Sequence, residues 1–173
     1  MRPEEEWEWD VTAEMVKDKV FELSGPNNSI ATKIDWDKDS DNCMMVGRAM
    51  GAGTGKHTIS MKLDQGSANG MYISCGMVSD GALWYIVSDE GDICKLDSGW
   101  IQSSNGAGKI KSGQVLTMQV DTDARTLKFW VDGKPHGPGY TSGVTGPLRW
   151  ATSVGFKGNA VEIVPTPELE YES

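Results

Sequence analysis

GQVLTMQVDTDARTLKFWVDGKPHG, residues 113–137, alternates apolar and polar side chains twice over, with a short polar loop between the two runs. Leu116, Met118 and Val120 alternate with Thr117, Gln119 and Asp121. Leu127, Phe129 and Val131 alternate with Thr126, Lys128 and Trp130. A period of two describes a strand with one face on a core. The loop Asp121 to Arg125 is short enough to make the two strands antiparallel neighbours. Asp132-Gly133 follows directly and supplies the positive φ angles of a tight hairpin turn.

The same reading extends outward. In His57 to Leu63 the odd-numbered residues face inward, and Met71, Ile73, Cys75 and Met77 repeat the pattern. Glycines break the chain every ten or so residues, and no long helical periodicity is present, which together signal an antiparallel sandwich or barrel. Ser103 to Gly113, rich in Gly, Ser and Lys, reads as a surface loop. Val11 to Lys19 is the only helix-like stretch, and it is short and poorly capped. With 173 residues, no internal repeat and no boundary signal, residues 1–173 are expected to form a single domain with acidic ends.

Composition narrows the setting. No run approaches the ~20 apolar residues of a membrane helix. Met1 to Asp10 lacks the basic-then-apolar pattern of a signal peptide. Cys43, Cys75 and Cys94 are odd in number and far apart, with no CxxC pair, so reduced thiols in an intracellular, cytoplasmic setting are expected. The formal charge is −9. Residues 1–10 hold five acids against one Arg and contribute −4; residues 166–173 hold three acids and contribute −3. That leaves −2 for the body, so the acidity belongs to the ends, which read as solvated tails. No basic stripe is available to replace phosphate counterions, which argues against nucleic acid.

Three constellations suggest chemistry and fail on spacing. Gly51-Ala52-Gly53-Thr54-Gly55-Lys56-His57-Thr58 resembles a phosphate loop, but that motif needs Gly where Met50 stands and Ser or Thr where His57 stands. An alternating strand follows it in place of the helix that would receive phosphate. Asp35, Asp37, Asp39 and Asp41 could present oxygens to calcium, yet Ser40 and Val46 occupy the positions where an EF-hand loop needs Gly and Glu. Around Ser74-Cys75-Gly76, Tyr72 replaces the first Gly of a nucleophile elbow, and Cys75 falls on the apolar face of its strand. His57 reads as a core histidine and His136 as part of a Gly/Pro-rich loop. With no nucleophile, base and orienting group to assemble, neither an enzyme nor a bound metal or cofactor is expected.

In order along the chain, five blocks resemble the SPRY domain family. Trp9-Asp10, Leu23-Ser24 and Ala31-Thr32 fit its opening "F-W-D…LS…AT" pattern, and Gly53 to Leu63 is similar to "SGKHYWEV". Trp84 to Lys95 fits the strand pair around "SSDGK", and Gly113 to Gly137 is similar to "GDVVGVLLDLDKGTLSFYVNGKPLG". Gly146-Pro147-Leu148 with Ser153 to Ile163 resembles the closing "GPLYPAVSL…VTI" strands. Ile59-Ser60 replaces the usual Trp-Glu, the "IGVA" strand reads Cys75-Gly76-Met77-Val78, and the loop after it, Ser79 to Ala82, is short.

The resemblance implies an all-β, two-layer bent antiparallel sandwich of the jelly-roll or concanavalin-like kind. It further implies recognition of a protein or peptide by loops at one end, as an adaptor or as the substrate receptor of a ubiquitin ligase. No RING, coiled-coil or SOCS-box segment accompanies it in this sequence, and a monomer is expected. Matched position by position, the contact loops become Trp36 to Asp39 with Lys38, Ser79-Asp80, and Phe156-Lys157-Gly158. Phe156 and Trp36 could each anchor a partner or pack on the sandwich. A glycan-binding lectin is the alternative, since fold does not fix function; the Asp35 to Asp41 run and the several Trp residues would serve it.

Overall fold

The computed structural model describes residues 6–35, 43–79, 82–97, 99–103 and 107–171. A single-turn helix, α1 (Glu14–Lys17), falls inside the helix-like stretch of the sequence, and a 3-10 turn (Pro26–Asn28) and thirteen strands make up the rest of the regular structure among the described residues. One sheet orders β1 (Phe21–Ser24), β2 (Ile30–Lys33), β13 (Ala160–Val164), β4 (Lys56–Asp64), β9 (Val115–Asp121), β10 (Thr126–Val131) and β11 (Lys134–Pro135). The other orders β3 (Cys43–Met45), β12 (Arg149–Val154), β5 (Ile73–Ser79), β6 (Ala82–Val87), β7 (Ile93–Asp97) and β8 (Gly99–Ser103). All the strand pairs are antiparallel.

The stretch 113–137 folds as its pattern demands. Leu127 pairs with Val120 and Phe129 with Met118, so the apolar members of both strands share one face and are buried. The polar loop is held by the Asp121 carboxylate, which accepts from the amides of Asp123 (3.0 Å) and Ala124 (2.9 Å). Those bonds, that to Ala124 foremost, lower the Asp121 carboxyl below its ordinary range. Asp132 (φ 50°) and Gly133 (φ 83°) make the tight turn. Ile59, Met61 and Leu63 of β4 extend this inner face, and Ile73, Cys75, Met77, Ile86 and Trp150 of the other sheet close the core.

The described parts of the two acidic ends, residues 6–10 and 166–171, lie against the sandwich and are not solvated tails. Trp7 and Trp9 are buried while Glu6 and Glu8 face water. The Trp7 indole donates to the Thr58 carbonyl (2.8 Å) and the Trp9 indole to that of Ser29 (2.9 Å). Trp9 also bridges Val46 at the β3 edge. At the other terminus, residues 166–171 cross the outer face of the larger sheet. The Ser60 hydroxyl meets those of Thr117 (2.7 Å) and Thr166 (2.9 Å), and the Trp130 indole donates to the Glu170 carbonyl (2.7 Å). Glu168 and Glu170 keep their side chains in water. A side chain at Gly133 would come within 2.4 Å of the Glu168 carbonyl oxygen, so the turn glycine also makes room for this strap. The strap explains why Ser60, Thr117 and Trp130 are buried on the face that alternation assigns to solvent.

Deleting residues 165–173 removes the hydrogen bonds of Ser60 to Thr166, of Trp130 to Glu170 and of the Glu170 amide to Gly133, and uncovers Trp130, so it is expected to lower stability by roughly 2 kcal/mol. Urea denaturation checks the magnitude, and a red-shifted tryptophan emission in the folded protein checks the exposure.

Candidate functional site

The ladder between β5 and β12 fixes where the expected contact residues sit. Val154 lies opposite Ile73 and Arg149 opposite Val78. Phe156, Lys157 and Gly158 therefore leave β12 at the Ile73 end. Ser79 sits at the other end, beside Gly146. Seven extended residues separate them, about 20 Å. The structure thus corrects the expectation of a single loop surface: Ser79 does not join Phe156, because antiparallel neighbours carry their following loops to opposite ends.

Trp36, Lys38, Asp39 and Asp80 lie outside the described residues, as do Asp37 and Asp41. Of the described residues on either side of them, Lys33 and Cys43 have fixed neighbours. The Gly158 amide donates to the Lys33 carbonyl (2.9 Å), and Cys43 pairs with Ser153. Both flanks stand at the Phe156 end.

Asn159 organises this end. It is fully buried, and its amide nitrogen donates to the carbonyls of Gln65 and Gly70 (both 2.9 Å). Its amide oxygen accepts from the Tyr72 backbone N–H (3.1 Å). One side chain thereby holds the loop 65–72 against the loop 155–159. The loops also touch directly. Gly66 has φ 60°, and a Cβ there would meet the Gly158 carbonyl oxygen at 2.1 Å, so only glycine fits.

Two aromatic rings project from this scaffold. Tyr72 is 45% exposed and Phe156 39% exposed, two of the four large apolar or aromatic side chains so exposed among the described residues. Each is seated over a glycine of the opposite loop. A Cβ at Gly155 would lie 3.2 Å from Tyr72 Cδ1, and one at Gly70 would lie 3.6 Å from Phe156 Cε2. The Gly155 amide donates to the Tyr72 carbonyl (2.7 Å), tying the two segments together. Phe156 thus both packs on neighbouring loop backbone and offers a face to solvent.

Tyr72 was not among the contact residues that the sequence suggested. The signal was present: inward Met71, Ile73, Cys75 and Met77 leave Tyr72 outward, a large aromatic on the wet face at the end of a Gly-rich turn. Beside it lies the turn 88–92, docked by the Ser88 amide on the Ile73 carbonyl (2.8 Å) and the Ile73 amide on Ser88 Oγ (2.9 Å). Burial pushes the Tyr72 phenol above its ordinary value, and electrostatic interaction with Cys94, Asp89 and Asp92 adds to that.

At the Ser79 end, Ala52, Thr122, Arg125, Val144 and Leu148 help line an open cavity of about 300 Å³. The Gly-rich loop 51–55 borders it and is tied internally. The Thr122 hydroxyl bonds both the amide (2.8 Å) and the carbonyl (2.9 Å) of Gly55, and Thr54 Oγ1 donates to the Gly51 carbonyl (2.7 Å). It joins β3 of the smaller sheet to β4 of the larger, so it is a crossover between the sheets and not the hairpin loop its glycines suggested. His57 is not the core histidine its strand position suggested. It is half-buried near the start of β4, with Nε2 2.7 Å from Thr54 Oγ1 and its ring edge-on to Trp7.

The other chemical candidates are occupied structurally. His136 Nε2 lies 3.0 Å from the Gly108 carbonyl oxygen. Cys75 is buried against the Thr152 hydroxyl (3.5 Å), and burial pushes its thiol up to about 12. A thiol held that high stays protonated at neutral pH and is a poor nucleophile. A thiol reagent is accordingly expected to leave Cys75 unlabelled in the native protein and to label it on unfolding, as peptide mass spectrometry would show. No group of three or more His, Cys, Asp or Glu is placed to hold a metal ion among the described residues. No helix among them is long and apolar enough to cross a membrane.

Two stacked antiparallel sheets with loops gathered at two ends define a β-sandwich. Solved structures place it more narrowly. The PSpry domain of TRIM65 superposes with a TM-score of 0.64 at 13% identity, over 92% of this chain and 90% of that one. The SPRY domain of human HERC1 gives 0.64 at 14% identity, over 90% of this chain and 96% of that one. A further human SPRY domain gives 0.62 at 14% identity, over 87% of this chain and 98% of that one. The fold is that of the SPRY domain. No protein-family model matches the sequence, and no curated protein matches it.

Proposed function

We propose that this chain is a non-enzymatic protein-recognition module, intracellular and monomeric, that binds a peptide or protein surface at the Phe156 end of the sandwich. The observation that carries the reading is the pair of exposed rings, Tyr72 and Phe156, each seated on a glycine and held by loops that the buried Asn159 locks together. Exposed aromatics on a pre-formed surface are typical binding anchors, because they bury large area with little loss of side-chain freedom. The sandwich beneath supplies the rigidity that a loop site needs. Trp36, Lys38 and Asp39 join this surface in the proposal, with Lys157 and Gly158. Ser79 stands at the other end and is left out of it, and Asp80, the next residue in the chain, is left out with it. An adaptor or substrate-receptor role would use the same surface.

Phe156→Ala is expected to weaken binding of a selected peptide by about 2 kcal/mol, the range of a hot-spot truncation. Isothermal titration beside a thermal melt separates this from unfolding. Unchanged affinity in a folded variant would remove the Phe156 end from the reading. Calcium-dependent capture of a glycan, with no peptide bound, would return the lectin alternative.

A further inference from the structure

The proposed binding surface has a charge character that names the chemistry of its partner. Tyr72 leaves the Gly-rich loop immediately before β5, and the turn 88–92 is hydrogen-bonded to the first residue of that strand. Asp89 follows Ser88 and so comes opposite Tyr72, and Asp92 is tied back to Val87, both near enough to act on the Tyr72 phenol, with Glu90 exposed in the same turn. Asp35 follows β2 at this end too. On the basic side, the Lys33 ammonium donates to the Val154 carbonyl (2.8 Å), and Lys157 is exposed in the Phe156 loop. The turn beside Tyr72 thus carries three acids, Asp89, Glu90 and Asp92, while Lys157 stands in the Phe156 loop and Lys109 lies between two residues whose amides bond the same turn.

We propose that the aromatic pair Tyr72 and Phe156, with Asp89 and Asp92 at its edge, receives an Arg- or Lys-bearing peptide segment. An aromatic face attracts a cation through its quadrupole, and Arg also stacks flat on it. Carboxylates at the rim complete the complementarity and raise the rate of encounter at low salt. An acidic segment would meet Asp89, Glu90 and Asp92 as like charges. Lys157 fits the scheme as a rim contact to a carboxylate or backbone carbonyl that follows the cation in the bound segment.

This inference rests on the Phe156 end being the binding surface, and the test separates the two. The full chain is screened on an array of random-sequence peptides, and the bound peptides are resynthesised for titration. The expected result is enrichment of Arg and Lys among the bound sequences. In titration, Asp89→Lys with Asp92→Lys and Tyr72→Ala should each weaken a basic peptide about tenfold. The loss in the charge-reversed variant should shrink as salt is raised. Enrichment of Asp and Glu, or no charge bias, would overturn the basic-segment inference while leaving the surface in place. So would bound peptides that are weakened by Phe156→Ala but indifferent to the charge reversal. Peptides indifferent to both Phe156→Ala and Tyr72→Ala in folded variants would overturn the surface, and the inference with it.

Discussion

Phe129→Ala is expected to lower the unfolding free energy by about 3–5 kcal/mol, the range for truncating a buried aromatic in a core that cannot collapse around the void. Phe129 sits mid-strand in β10 opposite Met118 and is only 2% exposed. Its ring meets Tyr140 edge-on at 6.4 Å between centroids. Tyr140 is itself pinned, its backbone bridging Leu127 and its hydroxyl donating to the carbonyls of Tyr85 and Cys94 in the other sheet. Removing the Phe129 ring therefore opens a cavity whose wall is anchored on both sheets and has little freedom to move in. Urea denaturation measures the loss. A change below about 1 kcal/mol would mean that the register of β9 and β10 is inverted, because a one-residue slip turns every side chain to the opposite face.

The second large effect is expected at Asn159. Asn159→Ala leaves the carbonyls of Gln65 and Gly70 and the Tyr72 N–H without the fully buried partner that joins them. Buried polar groups left unpaired cost more than the bonds they formed were worth, so a loss of about 2–4 kcal/mol is expected. Asn159→Asp keeps the shape and can still accept from Tyr72, but it cannot donate to two carbonyls and is expected to do nearly as badly. Both variants should also weaken peptide binding beyond what their stability explains, since loop 65–72 carries Tyr72. Denaturation and titration on the same samples check the two effects separately. If Asn159→Ala binds peptide normally, the two loops hold their positions without it.

The strand faces were legible because a single buried face imposes a period of two, and the inward residues of Leu116 to Val120 and of Leu127 to Val131 obey it. The turn was legible because Asp132-Gly133 can adopt the positive φ angles a tight hairpin needs. Less visible was the second burial of the outer face. Ser60 and Thr117 are polar, and only the return of Thr166, 106 residues beyond Ser60, encloses them. The hint was Trp130, an aromatic where alternation calls for a polar residue. The ends carried a hint as well. Glu6-Trp7-Glu8-Trp9 alternates, and so does Glu168-Leu169-Glu170-Tyr171, yet their charge invited a reading as solvated tails. Alternation within them was the better guide than net charge.

The binding end was only half legible. Phe156 and the loop around it could be matched to a family pattern, but which loops share an end depends on which strands pair. The pairing of β5 with β12 joins residues some 75 positions apart, such as Gly76 and Ala151. No local signal carries that register, and without it Ser79 and Phe156 looked like neighbours. Tyr72, by contrast, could have been read from its outward position alone.

The proposed placement of the partner is most directly tested by amide chemical-shift mapping of the whole chain on titration with an array-selected peptide. The account predicts that shifts concentrate in 65–72, 88–92 and 155–159, while Ser79, Thr122, Arg125 and Gly146 stay unmoved. Shifts centred on those last four residues, with Tyr72 and Phe156 silent, would contradict it and move the binding surface to the opposite end of the sandwich.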